Sequence, residues 1–126
     1  MDYAQVQILG RATSDAKLYN IDNPEKLARA VFNIAINLPI RENGVRVYKA
    51  IFRTIVARGS QAKYIADKQS EGGLKGRLIN ILGSLDTEIY TNIDNIEVSK
   101  DVIKAERLVI MDRKIKENDD FGRTAS

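Results

Sequence analysis

Residues 45–58, VRVYKAIFRTIVAR, hold the side chains of this sequence best suited to meeting a polyanion. Four cations, Arg46, Lys49, Arg53 and Arg58, stand among Tyr48 and Phe52 with no acid between them. The β-branched and aromatic types in this stretch suit a pleated surface, so it reads as a long strand. Alternate residues of a strand share a face. Arg46, Tyr48, Phe52 and Arg58 then fall on one side, with Ala50, Thr54 and Val56. Val45, Val47, Ile51 and Ile55 fall on the other, with Lys49 and Arg53. Rings beside guanidinium groups make a surface on which bases stack while phosphates are neutralised. The plainer alternative is a half-buried strand with aromatics in the core and arginines in solvent.

Catalytic chemistry finds little to work with. There is no cysteine and no histidine. That excludes disulfides, cysteine nucleophiles, histidine bases and most zinc sites. Ser14, Ser60 and Ser84 therefore lack a triad partner. Gly72-Gly73-Leu74-Lys75-Gly76-Arg77 lacks the Gly-Lys-Ser/Thr ending of a phosphate-binding loop and runs from helix to strand rather than the reverse. Asp22, Asp86, Asp94 and Asp101 sit by turns, where aspartate is favoured for backbone reasons. A nuclease would need clustered acids, and the sequence offers none beyond Asp119-Asp120. The expectation is a binding protein, not an enzyme, with no cofactor and no metal.

Charge agrees with a polyanionic partner. Residues 1–77 carry thirteen Lys/Arg against seven Asp/Glu, and residues 78–111 carry three against six. The pI near 9.2 thus arises from basic groups gathered in one half of the chain. The 126 residues, 44% hydrophobic, suffice for one domain with a real core. No apolar run approaches the roughly 20 residues of a membrane-spanning helix. The first ten residues lack the basic segment of a secretory signal. A cytoplasmic location and no membrane partner are expected.

The elements that must position these groups follow from periodicity. Residues 3–11 alternate as a strand ending at Gly10, which marks a bend or a close backbone approach. Leu18, Tyr19 and Ile21 suggest a short extended piece. Residues 30–38, AVFNIAINL, form a second main strand with Phe32, Ile34, Ile36 and Leu38 on one face. Pro39 is expected to close it, leaving a basic connection through Arg41 to the hairpin signal Asn43-Gly44. Residues 60–69 read as the one helix, capped by Ser60, striped by Ala62, Ile65 and Ala66, and ended by Gly72-Gly73. Residues 78–85 form the next strand, with Ile79, Ile81 and Leu85 inward and Gly83 permitting a bend. It continues through Glu88 to Tyr90. Asn92 to Asn95 reads as a turn. The last strand, 102–111, places Val102, Lys104, Glu106, Leu108 and Ile110 on one parity. Residues 112–126 read as a polar, flexible tail. The fold class is all-β with one short helix. One helix between the third and fourth of five strands is the element order of an OB-fold five-stranded Greek-key barrel, expected over residues 1–111.

Four segments, in order, carry a resemblance: VQILGRATSDAKL, AVFNIAIN, YKAIFRTIVARGSQAKYI and LINILGSLDTEIY. Together they resemble the bacterial and phage single-stranded DNA-binding (SSB) proteins over roughly residues 4 to 111. The resemblance implies an OB-fold that binds single-stranded DNA with little sequence preference and without catalysis. It implies a homo-oligomer, a homotetramer or a homodimer, in which the first strand meets its copy across a two-fold axis. Phe52 and Tyr90 match stacking aromatics of that family. A third ring position holds Arg58, and a fourth falls near Glu42. Bacterial members end in an acidic peptide with a terminal Phe that recruits replication proteins. Here Asp119-Asp120-Phe121 is followed by five more residues, so docking of replication or recombination proteins on the tail stands beside a solvated tail or coincidence.

Residues and resemblance together point to protection of single-stranded DNA in replication, recombination or repair. Tyr48, Phe52 and Tyr90 are expected to stack bases. Arg41, Arg46, Arg53, Arg58 and Arg77 are expected to meet phosphates, Arg53 from the aliphatic parity of its strand. The alternative is a protein-interaction accessory of primosome or recombination type on the same fold, with DNA contact secondary.

Overall fold

The computed structural model describes residues 4–111. The elements are β1 (Gln5–Ala12), β2 (Lys17–Tyr19), β3 (Arg29–Glu42), β4 (Val45–Arg58), α1 (Ser60–Ser70), β5 (Leu78–Thr91) and β6 (Glu97–Ile110). The sheet runs β1-β5-β6-β4-β3-β2, and a further β1–β3 pairing closes it. β2 rides on the outer edge of β3, so five strands make the barrel. Most pairs are antiparallel; β4 and β6 run parallel through Ile55↔Ile103 and Val56↔Lys104. A closed five-stranded mixed barrel with one helix between the third and fourth barrel strands is the OB-fold.

Closure depends on two glycines. β1 pairs with β5 from Gln5 to Arg11, then reaches β3 at Arg11↔Ala35 and Ala12↔Ile34. At that corner a Cβ on Gly10 would lie 2.4 Å from the Ala35 carbonyl oxygen. At the opposite wall a Cβ on Gly83 would lie 2.5 Å from the Lys104 carbonyl oxygen. No other residue type lets the backbones come so close. Beside Gly83 the β5–β6 register shifts, leaving Glu106 without a β5 partner. This bulge explains the last strand. Ile103 and Leu108 are both core residues although an odd number of positions separates them. The extra residue flips the side-chain alternation between them, so the single parity expected from Val102 to Ile110 does not hold.

The core fills the barrel with Ile8, Phe32, Ile34, Ile55, Ile79, Ile81, Ile103 and Leu108. Helix α1 adds Ala62 and Ile65, both fully buried. Its N-cap is Gly59, at φ 62°, with no side-chain cap; Ser60 is the first helical residue rather than the cap. Gly72 and Gly73, at φ 111° and 93°, end the helix as expected.

Two hairpins outgrow the barrel. β3 continues through Pro39, its expected end, to Glu42. Beyond Ala35, β3 pairs with β4 alone, so the missing donor of proline can face an open edge. The turn is the two residues Asn43 and Gly44, at φ 51° and 78°, and Arg41 belongs to the strand rather than to a loop. The core face of β3 runs out along this arm: Ile34 is buried and Leu38 is 42% exposed. β5 and β6 form the second arm. Its turn is held by Asn92 Oδ1, which accepts from the Asp94 and Ile96 amides. Leu85 was expected inward and is 60% exposed, because it lies where this arm leaves the barrel. Among the described residues, no helix is long and apolar enough to cross a membrane. The tail, with Asp119-Asp120-Phe121, lies outside the described residues.

Candidate nucleic-acid interface

The antiparallel register of β3 and β4 builds one outer face from cross-strand pairs. From the hairpin tip towards the barrel these are Arg41↔Arg46, Pro39↔Tyr48, Asn37↔Ala50, Ala35↔Phe52, Asn33↔Thr54, Val31↔Val56 and Arg29↔Arg58. Tyr48 is 67% exposed and Phe52 59%. Small or polar neighbours, Ala35, Asn37 and Ala50, leave the rings standing above the sheet. Four residues of strand separate them, about 13 Å. The Arg46 guanidinium lies 5.9 Å from the centre of the Tyr48 ring. Directly opposite stands Arg41, which reaches back to the Gly44 carbonyl at 3.4 Å. Two like charges facing each other across a ladder destabilise it. Such a pair is tolerated readily where an anion comes between.

Arg53 lies on the other parity, as expected, and is exposed. It points into a groove of about 730 Å³ between β4 and the β5–β6 arm. Phe52, Arg53 and Thr54 form one bank; Leu85, Asp86, Thr87, Lys100, Asp101, Val102 and Ile103 form the other. Phe52 therefore reaches both the outer face and this groove. The far bank carries opposing charges. Asp101 Oδ1 accepts from Thr87 Oγ1 at 3.2 Å, and Asp86 pairs with Lys104 at 3.7 Å. Beside Phe52, Thr54 Oγ1 donates to Asn33 Oδ1 at 2.7 Å.

Two arginines expected at phosphates have other work. Arg77 is only 5% exposed. Its Nη2 donates to the Glu71 carbonyl at 2.9 Å, beneath the C-terminal end of α1. A cation there meets the negative end of the helix dipole and an otherwise unpaired carbonyl. It is a structural strut, and a phosphate has no access to it. Arg58 is half-exposed and donates to Glu88 Oε2 at 3.1 Å, while Arg29 takes Glu88 Oε1. Glu88 thus ties the β5–β6 arm across the base of the β3–β4 face and engages Arg58, the three-residue cluster keeping one net positive charge. Arg29 also lies 5.8 Å from the Tyr19 ring centre. Neither Arg29 nor Glu88 announced this role in the sequence, because nothing local brings residues 29, 58 and 88 together.

Tyr90 is 52% exposed, two residues beyond Glu88 on the same strand, and pairs with Val98. It therefore stands on the second arm, apart from the Tyr48 and Phe52 ladder. That arm is acidic: residues 86–101 hold five Asp/Glu and one Lys. The fold brings together Arg41, Arg46, Tyr48 and Phe52 on one face, with Arg53 at its flank. It leaves Arg58 ion-paired, Tyr90 on the other arm and Arg77 inside.

No family model matches this sequence, and no curated protein matches it. Solved structures do. The chain is similar to a deletion mutant of the single-stranded DNA binding protein from Thermus aquaticus, at 20% identity and a TM-score of 0.68 over 86% of this chain. It spans half the length of that protein. It is also similar to the Plasmodium falciparum SSB in its complex with ssDNA, at 19% identity and a TM-score of 0.68. There the match covers 89% of this chain and 97% of the other. At these identities the likeness establishes the OB-fold.

Proposed function

We propose that this protein binds single-stranded DNA with little sequence preference, laying the strand along the outer face of β3 and β4. One observation carries the reading. Tyr48 and Phe52 stand in solvent on a single strand face, flanked by the opposed Arg41 and Arg46, although both are residue types a strand readily buries. Every base has a π-face, so exposed rings bind without reading sequence, and the guanidinium groups meet phosphates. Neighbours of this fold that are SSB proteins, one of them holding ssDNA, support it. Arg53 extends the cationic edge towards the groove. Tyr90 stands on the acidic arm, where carboxylates repel phosphates, so the stacking reading rests on Tyr48 and Phe52.

Roles in replication, recombination or repair, and an oligomer, belong to the same proposal. β1 supports the oligomer: between Gln5 and Gly10 it is paired with β5 on one side only, leaving an edge a second copy can join. The acidic second arm favours an alternative, a protein-interaction accessory with secondary DNA contact. Intrinsic tyrosine fluorescence separates the two. Titration with oligo(dT) should quench it as bases stack on Tyr48. A flat signal, with no shift of the protein on a dT column, would leave the accessory reading standing.

A further inference from the structure

We infer that the β5–β6 arm is a docking element whose seat is the β3–β4 arm of a second copy of this chain. The two arms are opposites. Residues 86–101 carry five acids and one Lys, whereas residues 38–53 carry four cations and one acid. Among the described residues, the charges nearest the tips enter no ion pair. Among the described residues, ion pairs engage Glu88 and Asp86 at the root of the acidic arm, and none engages Asp94 or Glu97. Arg41 and Arg46 on the other arm are likewise outside every ion pair of the described residues.

Both tips also present apolar side chains that the barrel leaves uncovered. Ile93 is 101% exposed and Ile96 57%; Val45, at the opposite tip, is 61% exposed. A β-branched side chain fully in water at a hairpin tip has much to gain from burial. Nucleic acid is a poor occupant for the acidic arm, since phosphates and carboxylates repel. The partner must offer cations beside apolar groups. The β3–β4 arm does so, with Arg41 and Arg46 beside Val45. One chain cannot satisfy itself, because the two arms leave the barrel separately and no described ion pair joins their tips. Each chain thus carries a plug and a socket on different surfaces. Such a contact closes as a two-fold pair where two chains exchange arms reciprocally, and propagates as a ring or an open run of subunits where they do not. It differs from any two-fold pairing through β1. It also stands apart from the proposed strand binding, although Arg41 and Arg46 would serve both, so that DNA and a neighbouring arm compete for them.

The test uses the full chain without nucleic acid, in sedimentation velocity across a range of protein and salt concentrations. The wild type should show a concentration-dependent association that weakens as salt rises. Asp94→Lys with Glu97→Lys, or Arg41→Glu with Arg46→Glu, should each weaken that association by about tenfold or more, since two attractive contacts become repulsive. Mixing the two variants should restore it, because the acidic arm of one meets the basic arm of the other. The mixture also rules out misfolding as the cause of either loss. Association that survives both reversals, a mixture that stays dissociated, or a wild type of constant mass would overturn the inference. The Asp94→Lys/Glu97→Lys protein should still bind oligo(dT), so failure of docking and failure of strand binding are told apart.

Discussion

Phe52 shows how one position separates a core strand from a working one. It lies among Val47, Ile51 and Ile55 in the sequence, yet its ring is 59% exposed because its cross-strand partner is Ala35 and no layer covers that face. A stacked ring is worth roughly 1–3 kcal/mol by substitution. Phe52→Ala should therefore weaken poly(dT) binding by about tenfold or more while the thermal midpoint stays nearly unchanged; equilibrium titration and a melting curve check both. Arg77 predicts the converse. It is buried against the Glu71 carbonyl, so Arg77→Ala should cost about 2 kcal/mol of stability and leave dT affinity alone. Urea unfolding alongside the same titration measures this. Equal loss of affinity in the two variants would contradict the division of labour. The sequence could not separate these arginines. Arg46 and Arg77 differ only in what the fold places over them, and a basic residue after a glycine-rich loop reads as solvated.

At the scale of elements, strand identity was legible wherever hydrophobic residues alternate. The helix and both Asn-containing turns lie close to where periodicity puts them, whereas β3 ends four residues later and β6 starts five residues earlier than expected. The misses share a cause. Pro39 signals a stop because proline cannot donate to a ladder, but a strand paired on one side has a position where no donor is needed. Leu85 has the parity of a core residue because alternation continues past the barrel wall. The parity of β6 failed at Glu106, where a bulge inserts one residue. Bulges and overhangs depend on where a strand's neighbours end, which no local window contains. The glycines were readable in kind: Gly10 and Gly83 were both expected to permit bends. The structure shows what they admit, the carbonyls of Ala35 and Lys104. Gly83→Ala should thus force β5 and β6 apart, destabilising the barrel by about 1–3 kcal/mol. Gly76→Ala meets nothing within 4 Å, although its φ of 85° strains any side chain. Comparing the two by denaturant midpoint isolates the steric part from the backbone part.

For the whole molecule, charge is distributed by arm. The β3–β4 face concentrates arginines, and the β5–β6 arm concentrates acids, so the net charge of +3 understates the local field. Binding along the basic face should release counterions. The logarithm of the dT association constant should fall linearly with the logarithm of salt concentration. Arg46→Ala should make that slope shallower by about one. A salt-independent titration would remove the electrostatic half of the proposal. Glu88, bonded to Arg29 and Arg58, pins the acidic β5–β6 arm to the base of the β3–β4 face.

Local physics determined much by itself. The alternation of apolar residues, the helix-ending glycines, the hairpin Asn-Gly and the absence of histidine and cysteine all act within a few residues or by composition. They were enough for the element order of an OB-fold and for a ring-and-cation strand at its centre. Tertiary structure decided which cations remain available. Arg41 and Arg46 stay in solvent because their hairpin overshoots the barrel. Arg58 is claimed by a carboxylate thirty residues away, and Arg77 by the end of a helix. A guanidinium group is drawn to whichever acceptor the fold brings near it, and that acceptor is set by chain topology rather than by its sequence neighbours.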